Sequence, residues 1–463
     1  MDRGSQSRNQ VLKSLFLCLL LAIHVCAMPA QASLFSGKEE QIDQYTTEIL
    51  LKEIDLERYY NKYRLFSSKD PKYRYRRYFL LQQTAAGLTL GSYIASCADL
   101  GKNLTTPDRI SRPLAERTTK VGFLAVVFQG GSSAIELASN VSTAVKHKVK
   151  KIDPKSTAKN IQSRLEEIDS LIAQRNALIQ QIENKEGVEI LEGEGRILKY
   201  FRDWCLNEFA DIYADAKSYQ ASNSIYYVLD VASASLYGAS YLISLRALDK
   251  PHLFNPAAKV GIVGDGFGIV SAPLSSWSYS YLYKHHRKKL GINMKEKLYD
   301  PEEIAKTEIV ALKSKIEKSD ALSKPLLSNI LARLSLIDFW SCEYDDYISK
   351  TTVEDRRFQK VALQSNISGP LISTAFLAQD IMALVAANSL KNNLMKSTTV
   401  GFISTIPPLV ASGASLLLTS YWAADEGIHQ HILKKKGHTP EQLIEKRFAV
   451  LGEMETKLQQ IEK

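Results

Sequence analysis

Apolar residues gather in six long stretches, residues 78–98, 121–145, 225–245, 260–283, 363–390 and 400–422. At about 1.5 Å per helical residue, such lengths suit a bilayer span. The stretches are rich in Ser, Ala and Gly, and they contain Gln82, Gln83, Glu136, Asp230, Asp265 and Asp380. They predict an all-α protein with six transmembrane helices. The alternative is a water-soluble bundle of long buried helices, which would also be apolar all round and would better tolerate those polar residues.

Between these stretches the pattern becomes amphipathic. Ile161, Leu165, Ile168, Ile172, Ile179 and Ile182 recur at helical spacing of a coiled-coil kind, with Arg175 as the interruption. Shorter seams run through Ile42, Tyr45, Ile49 and Leu56, and through Ile444, Phe448, Leu451, Leu458 and Ile461. Packing within the same chain is the simpler expectation, and self-association through these coiled-coil segments is the sharper one.

The hydrophobic hairpins repeat. Val-Gly pairs begin at Val121, Val260 and Val400, separated by 139 and 140 residues. A basic cluster follows each: "KHKVKK" from Lys146, "KHHRKK" from Lys284 and "KKK" from Lys434. Next come Asp153-Pro154, Asp300-Pro301 and Thr439-Pro440, each a capping residue before a proline suited to the first helical position. The period divides the chain into an N-terminal amphipathic helix at 33–58 and three tandem units at 59–199, 200–339 and 340–463, each an apolar hairpin with amphipathic helices.

Residues 1–32 read as a secretory signal, with Arg3, Arg8 and Lys13 before an apolar run and Ala30-Gln31-Ala32 at its end. This predicts an exported N-terminus and a membrane location. It conflicts with the positive-inside rule, because the arms that carry the basic clusters would then lie outside the cytoplasm. Either the short loops with Arg109, Arg112, Arg117, Lys120, Arg246, Lys250 and Lys259 decide the orientation, or the signal is misread, or the hairpins are not spans. Behind the signal remain Cys97, Cys205 and Cys342, too few and too scattered for a disulfide scaffold or zinc ribbon. Cys205 and Cys342 are either bridged or buried free thiols. With 45% hydrophobic and 24% charged residues the chain can form a core, and its net charge of +9 points to acidic partners.

"VGIVGDGFG", residues 260–268, resembles a phosphate-binding turn, but a dinucleotide loop needs glycines at its first, third and sixth positions. From Gly264 the third is Gly266 and the sixth is Ile269; from Gly261 the third is Val263. Gly264 and Gly268, like Gly87 and Gly91, are instead four apart in apolar segments, the spacing that lets helices approach closely in lipid. The acids Glu136, Asp230, Asp265 and Asp380 are costly in a bilayer and mark a pathway, a proton site or a partner cation, or else lie nearer a helix end or a wet interior. Basic residues fall at the hairpin bases: Arg74, Arg76 and Arg77 within "KYRYRRY", then Lys148, Lys150, Lys151, Lys288, Lys289, Lys434 and Lys435. They are suited to anionic lipid headgroups rather than nucleic acid. His285, His286, His429, His431 and His438 do not form a ligand spacing. No HExxH, P-loop, GxSxG or EF-hand motif occurs. The sequence therefore predicts no catalytic, cofactor or metal site. Its leading functional reading is a non-enzymatic multi-pass membrane scaffold with helical arms at the bilayer surface; the alternative is a transporter or channel that uses the acids.

Overall fold

The computed structural model describes residues 37–67, 74–105, 111–290, 301–389 and 394–461, and every element among them is helical. Residues 1–32, read as a signal, lie outside the described residues. Helices α4 (Pro154–Ile179), α7 (Pro301–Ile316) and α10 (Pro440–Ile461) each open on a proline of the repeated start signal. Asp153 caps α4 by accepting from the Ser156 backbone N–H at 3.2 Å. Thr439 and Gln442 exchange side-chain to backbone bonds as a capping box on α10. Asp300 falls outside the described residues.

Two regions follow from two kinds of sequence. In the first, the head, α1 (Gly37–Ser67), α4, the first half of α5 (Lys185–Ala247), α7, the start of α8 (Lys324–Ser389) and α10 share one core. Large apolar side chains fill it, among them Ile49, Ile168, Phe209, Leu334, Trp340 and Leu451. The stripe of Ile161, Leu165, Ile168 and Ile179 is buried there, and α4 packs on α1 and α5. Self-association through that stripe would require the head to open, because the chain's own helices already cover it. α1 runs to Ser67, past the expected boundary at 58.

Arg175 corrects the reading of that stripe, since it is not an interruption but a buried hub. Its guanidinium donates to Thr46 at 2.6 Å, to the Leu191 carbonyl at 3.1 Å and to Glu194 at 2.7 Å. Arg333 binds the other Glu194 oxygen at 2.9 Å and also pairs with Asp43. A second buried group joins Glu57 to Arg447 at 3.1 Å and to the Trp340 indole N–H at 2.7 Å.

Glu53 on α1 is different: it is fully buried, and neither carboxyl oxygen has a hydrogen-bond partner. Burial holds its carboxyl well above the ordinary 4.5, with the Arg202 charge opposing. A carboxyl with a raised folded pKa favours the head while protonated. That contribution is complete below the unfolded value near 4.5 and is lost as pH rises through the folded value. Thermal melts of the purified chain should therefore show stability falling toward alkaline pH, with Glu53→Gln flattening the slope. A slope identical in both proteins would count against a neutral Glu53.

The second region, the ring, has an opposite distribution. It comprises α2 (Arg74–Thr105), α3 (Arg112–Val149), the second half of α5, α6 (Phe254–Lys289), the end of α8 and α9 (Leu394–Lys436). These helices pack in the order α2, α3, α5, α6, α8, α9 and back to α2. Small and polar residues are buried between them, including Ser132, Ser133, Ser233, Asp265, Thr405 and Ser412, while Leu80, Val127, Leu242, Val263, Leu371 and Leu417 face outward. Such an arrangement is unfavourable in water and favourable in lipid, where close packing of small residues replaces the hydrophobic drive. Five helical segments among the described residues are long and apolar enough to cross a membrane. They do not include α2, one of the six expected spans, which begins with Arg74, Arg76 and Arg77 and contains Lys102.

α5 and α8, of 63 and 66 residues, pass without a break from the head into the ring. The boundaries expected at 199/200 and 339/340 fall inside these two helices.

Candidate functional site

Residues 260–268 form the interior of α6, so they supply no phosphate-binding turn. Gly264 and Gly268 instead admit neighbours. A Cβ at Gly264 would lie 3.4 Å from Leu236 and Tyr237 side-chain atoms of α5, and one at Gly268 would lie 2.6 Å from Ser373 of α8. Gly87 and Gly91 differ from expectation: a Cβ at either would meet nothing within 4 Å, because both face outward from α2.

The glycine after each repeated valine shows a regular arrangement. An added Cβ would lie 2.6 Å from the Tyr241 ring at Gly122, 1.9 Å from Asp380 Oδ2 at Gly261, and 3.9 Å from Leu100 at Gly401. Each second hairpin helix thus meets the first helix of the next hairpin around the ring. At Gly130 the neighbour is anchored to the backbone, because an added Cβ would be 2.8 Å from the Ala234 Cβ. Gly131 beside it faces open space. Gly130→Ala and Gly131→Ala share the same gain in helix propensity, but only the first forces α3 from α5. Their stabilities in detergent should differ by about 1–3 kcal/mol, with Gly130→Ala the lower; equal melting temperatures would contradict the close approach.

The four acids have three different settings. Glu136 is fully buried and receives Arg77 through Nη2 at 2.6 Å and Nε at 3.1 Å, so its cation comes from the start of α2 rather than from its own helix. Asp230 accepts from Gln129 at 2.9 Å and from Ser133. Asp265 and Asp380 are brought together. Asp265 is fully buried, its Oδ1 accepts from the Tyr237 hydroxyl, and its Oδ2 has no partner. Asp380 comes from α8, with its carboxyl against Gly261, one turn before Asp265 on α6. Tyr93 donates to Gln379 at 2.6 Å. Sequence reading missed Tyr93, Tyr237, Tyr241 and Gln379, which in isolation look like ordinary ring residues.

At the opposite end of these helices, where the ring meets the head, Lys148, Lys150, Lys151, Lys288, Lys289, Lys434 and Lys435 are exposed, as is Arg76. The Arg74 side chain lies outside the described residues. Arg287 turns inward instead and pairs with Asp211 at 2.6 Å, a carboxylate that also accepts from Tyr283 at 2.9 Å. Trp277, Tyr281 and His285 stack in an outward column, with ring centroids 5.6 and 6.4 Å apart. Cys205 is buried and Cys342 exposed, and both are free thiols, so the bridge considered from sequence does not form. Among the described residues no three His, Cys, Asp or Glu side chains gather as a metal site.

No family model matches the chain, and neither a curated protein nor a solved structure does.

Proposed function

We propose that this is a multi-pass membrane protein of three tandem units. Its six ring helices lie in the bilayer, and its helical head organises partners at one membrane surface. The carrying observation is the ring's distribution of small polar residues inside and large apolar residues outside. The Gly122, Gly261 and Gly401 contacts support a ring closed by three related units. The exposed lysines at the neck suit anionic headgroups, and the Trp277, Tyr281 and His285 column suits the interface. The unbroken α5 and α8 support a head held rigidly to the membrane portion. A second reading, transport of a cation through the ring, is favoured by the meeting of Asp265 and Asp380.

Alkaline extraction of membranes that contain the full chain tests the spanning reading. The protein should stay in the pellet, and topology reporters after Lys148 and after Lys289 should report the same side. Release into the supernatant, or reporters on opposite sides, would overturn it.

A further inference from the structure

We propose that Asp265 and Asp380 together hold one exchangeable positive charge, a proton or a monovalent alkali cation, where α5, α6 and α8 meet. The proposal goes beyond a scaffold and rests on the second reading above. Of the four acids in the apolar stretches, the other two are compensated: Glu136 by Arg77, Asp230 by two side-chain donors. Among the described residues, no such cation is paired with Asp265 or Asp380. The charged group that acts on Asp380 is Asp265, and the polar partner of Asp265 is the Tyr237 hydroxyl.

A buried oxygen without a partner is the second, independent sign. Asp265 Oδ2 is shielded from solvent and accepts no hydrogen bond. The notch at Gly261 is the third. A Cβ there would sit 1.9 Å from Asp380 Oδ2, so the Asp380 carboxyl reaches its place because residue 261 lacks one. Gly261 and Asp265, four apart on α6, share a helix face, which aims the two carboxyls at a common space.

Two adjacent carboxylates in an apolar surrounding cannot both remain ionised without a counter-charge. Among the described residues, Tyr93 from α2 and Tyr237 and Tyr241 from α5 face the pair, and Gln379, next to Asp380 on α8, accepts from Tyr93 at 2.6 Å. They offer neutral hydroxyl and amide oxygens. Hard oxygen donors of this kind suit a proton or an alkali cation and lack the nitrogen and sulfur ligands favoured by softer transition metals.

The test uses the full chain in liposomes with dicyclohexylcarbodiimide, a lipid-soluble reagent that modifies protonated carboxyls, followed by peptide mass spectrometry. Asp265 or Asp380 should be labelled at acidic pH, and labelling should fall about tenfold per pH unit above the transition. Protection by sodium or potassium chloride at fixed ionic strength identifies an alkali cation; pH dependence without such protection identifies a proton. Gly261→Ala, with unchanged helical content, should shift the transition, because the added methyl displaces Asp380. Absence of labelling at both residues across the pH range, or labelling indifferent to pH and salt, would overturn the site. If labelling behaves as expected while the liposomes show no cation flux, the site stands and the transport reading fails.

Discussion

Replacing Arg333 with methionine is expected to lower the unfolding free energy of the head by about 3–5 kcal/mol at neutral pH. The guanidinium is fully buried and joins Glu194 on α5 to Asp43 on α1, so its removal leaves two carboxylates with less compensation. Asn329 still donates to Asp43 at 2.8 Å, and Arg175 still holds Glu194. Burial alone would raise the Glu194 pKa, yet Arg333 and Arg175 hold it below its ordinary 4.5. A depressed carboxylate contributes stability above its unfolded pKa and loses it as pH falls through the folded value. The penalty of Arg333→Met should therefore shrink in acid. Denaturation followed by tryptophan fluorescence can measure it, since Trp204 and Trp340 are both in the head. An unchanged midpoint at neutral pH would refute the network's role. Replacing Asp43, Arg175, Glu194 and Arg333 together by apolar residues of similar volume should cost far less than the single change, because no charge is then left buried alone.

Arg447→Ala should cost about 3 kcal/mol or more and release α10 from the head. Arg447 is the charged partner of Glu57, which is fully buried on α1 and would keep the Trp340 indole and Asn61 as donors. Its guanidinium also lies 5.3 Å from the Tyr344 ring centroid. Leu443, Ile444, Leu451, Met454 and Leu458 supply the apolar attachment of the same helix. Limited proteolysis should cut within 440–461 in the variant at protease levels that leave the parent intact. The Arg333 and Arg447 networks share no side chain, so their costs should add within about 0.5 kcal/mol.

The helices, their proline starts and the division into apolar and amphipathic segments could be read from the sequence because each has a local cause. Side-chain periodicity, capping residues and proline geometry act within a few positions of one another. The hubs could not be read in that way. Arg175 breaks an apolar stripe, and only the fold supplies Glu194, Thr46 and the Leu191 carbonyl that make a charge acceptable there. The acids of the ring were visible individually, but their sorting was not. Arg77 is 59 positions from Glu136, and the meeting of Asp265 with Asp380 depends on the packing of α6 against α8. Gly87 and Gly91 show the limit from the other side: a spacing suited to contact does not say which helix face is turned inward.

α5, at 63 residues and about 1.5 Å per residue, is a rod about 95 Å long that belongs to both regions. Under the membrane reading proposed above, it would form a lever whose pivot is the neck. If the rod stays straight, a lean of about 5° about the neck displaces its head end, about 45 Å away, by about 4 Å. With α8 also passing from head to ring, small sideways strains in the lipid around the ring would reach the far tip as shifts of that size.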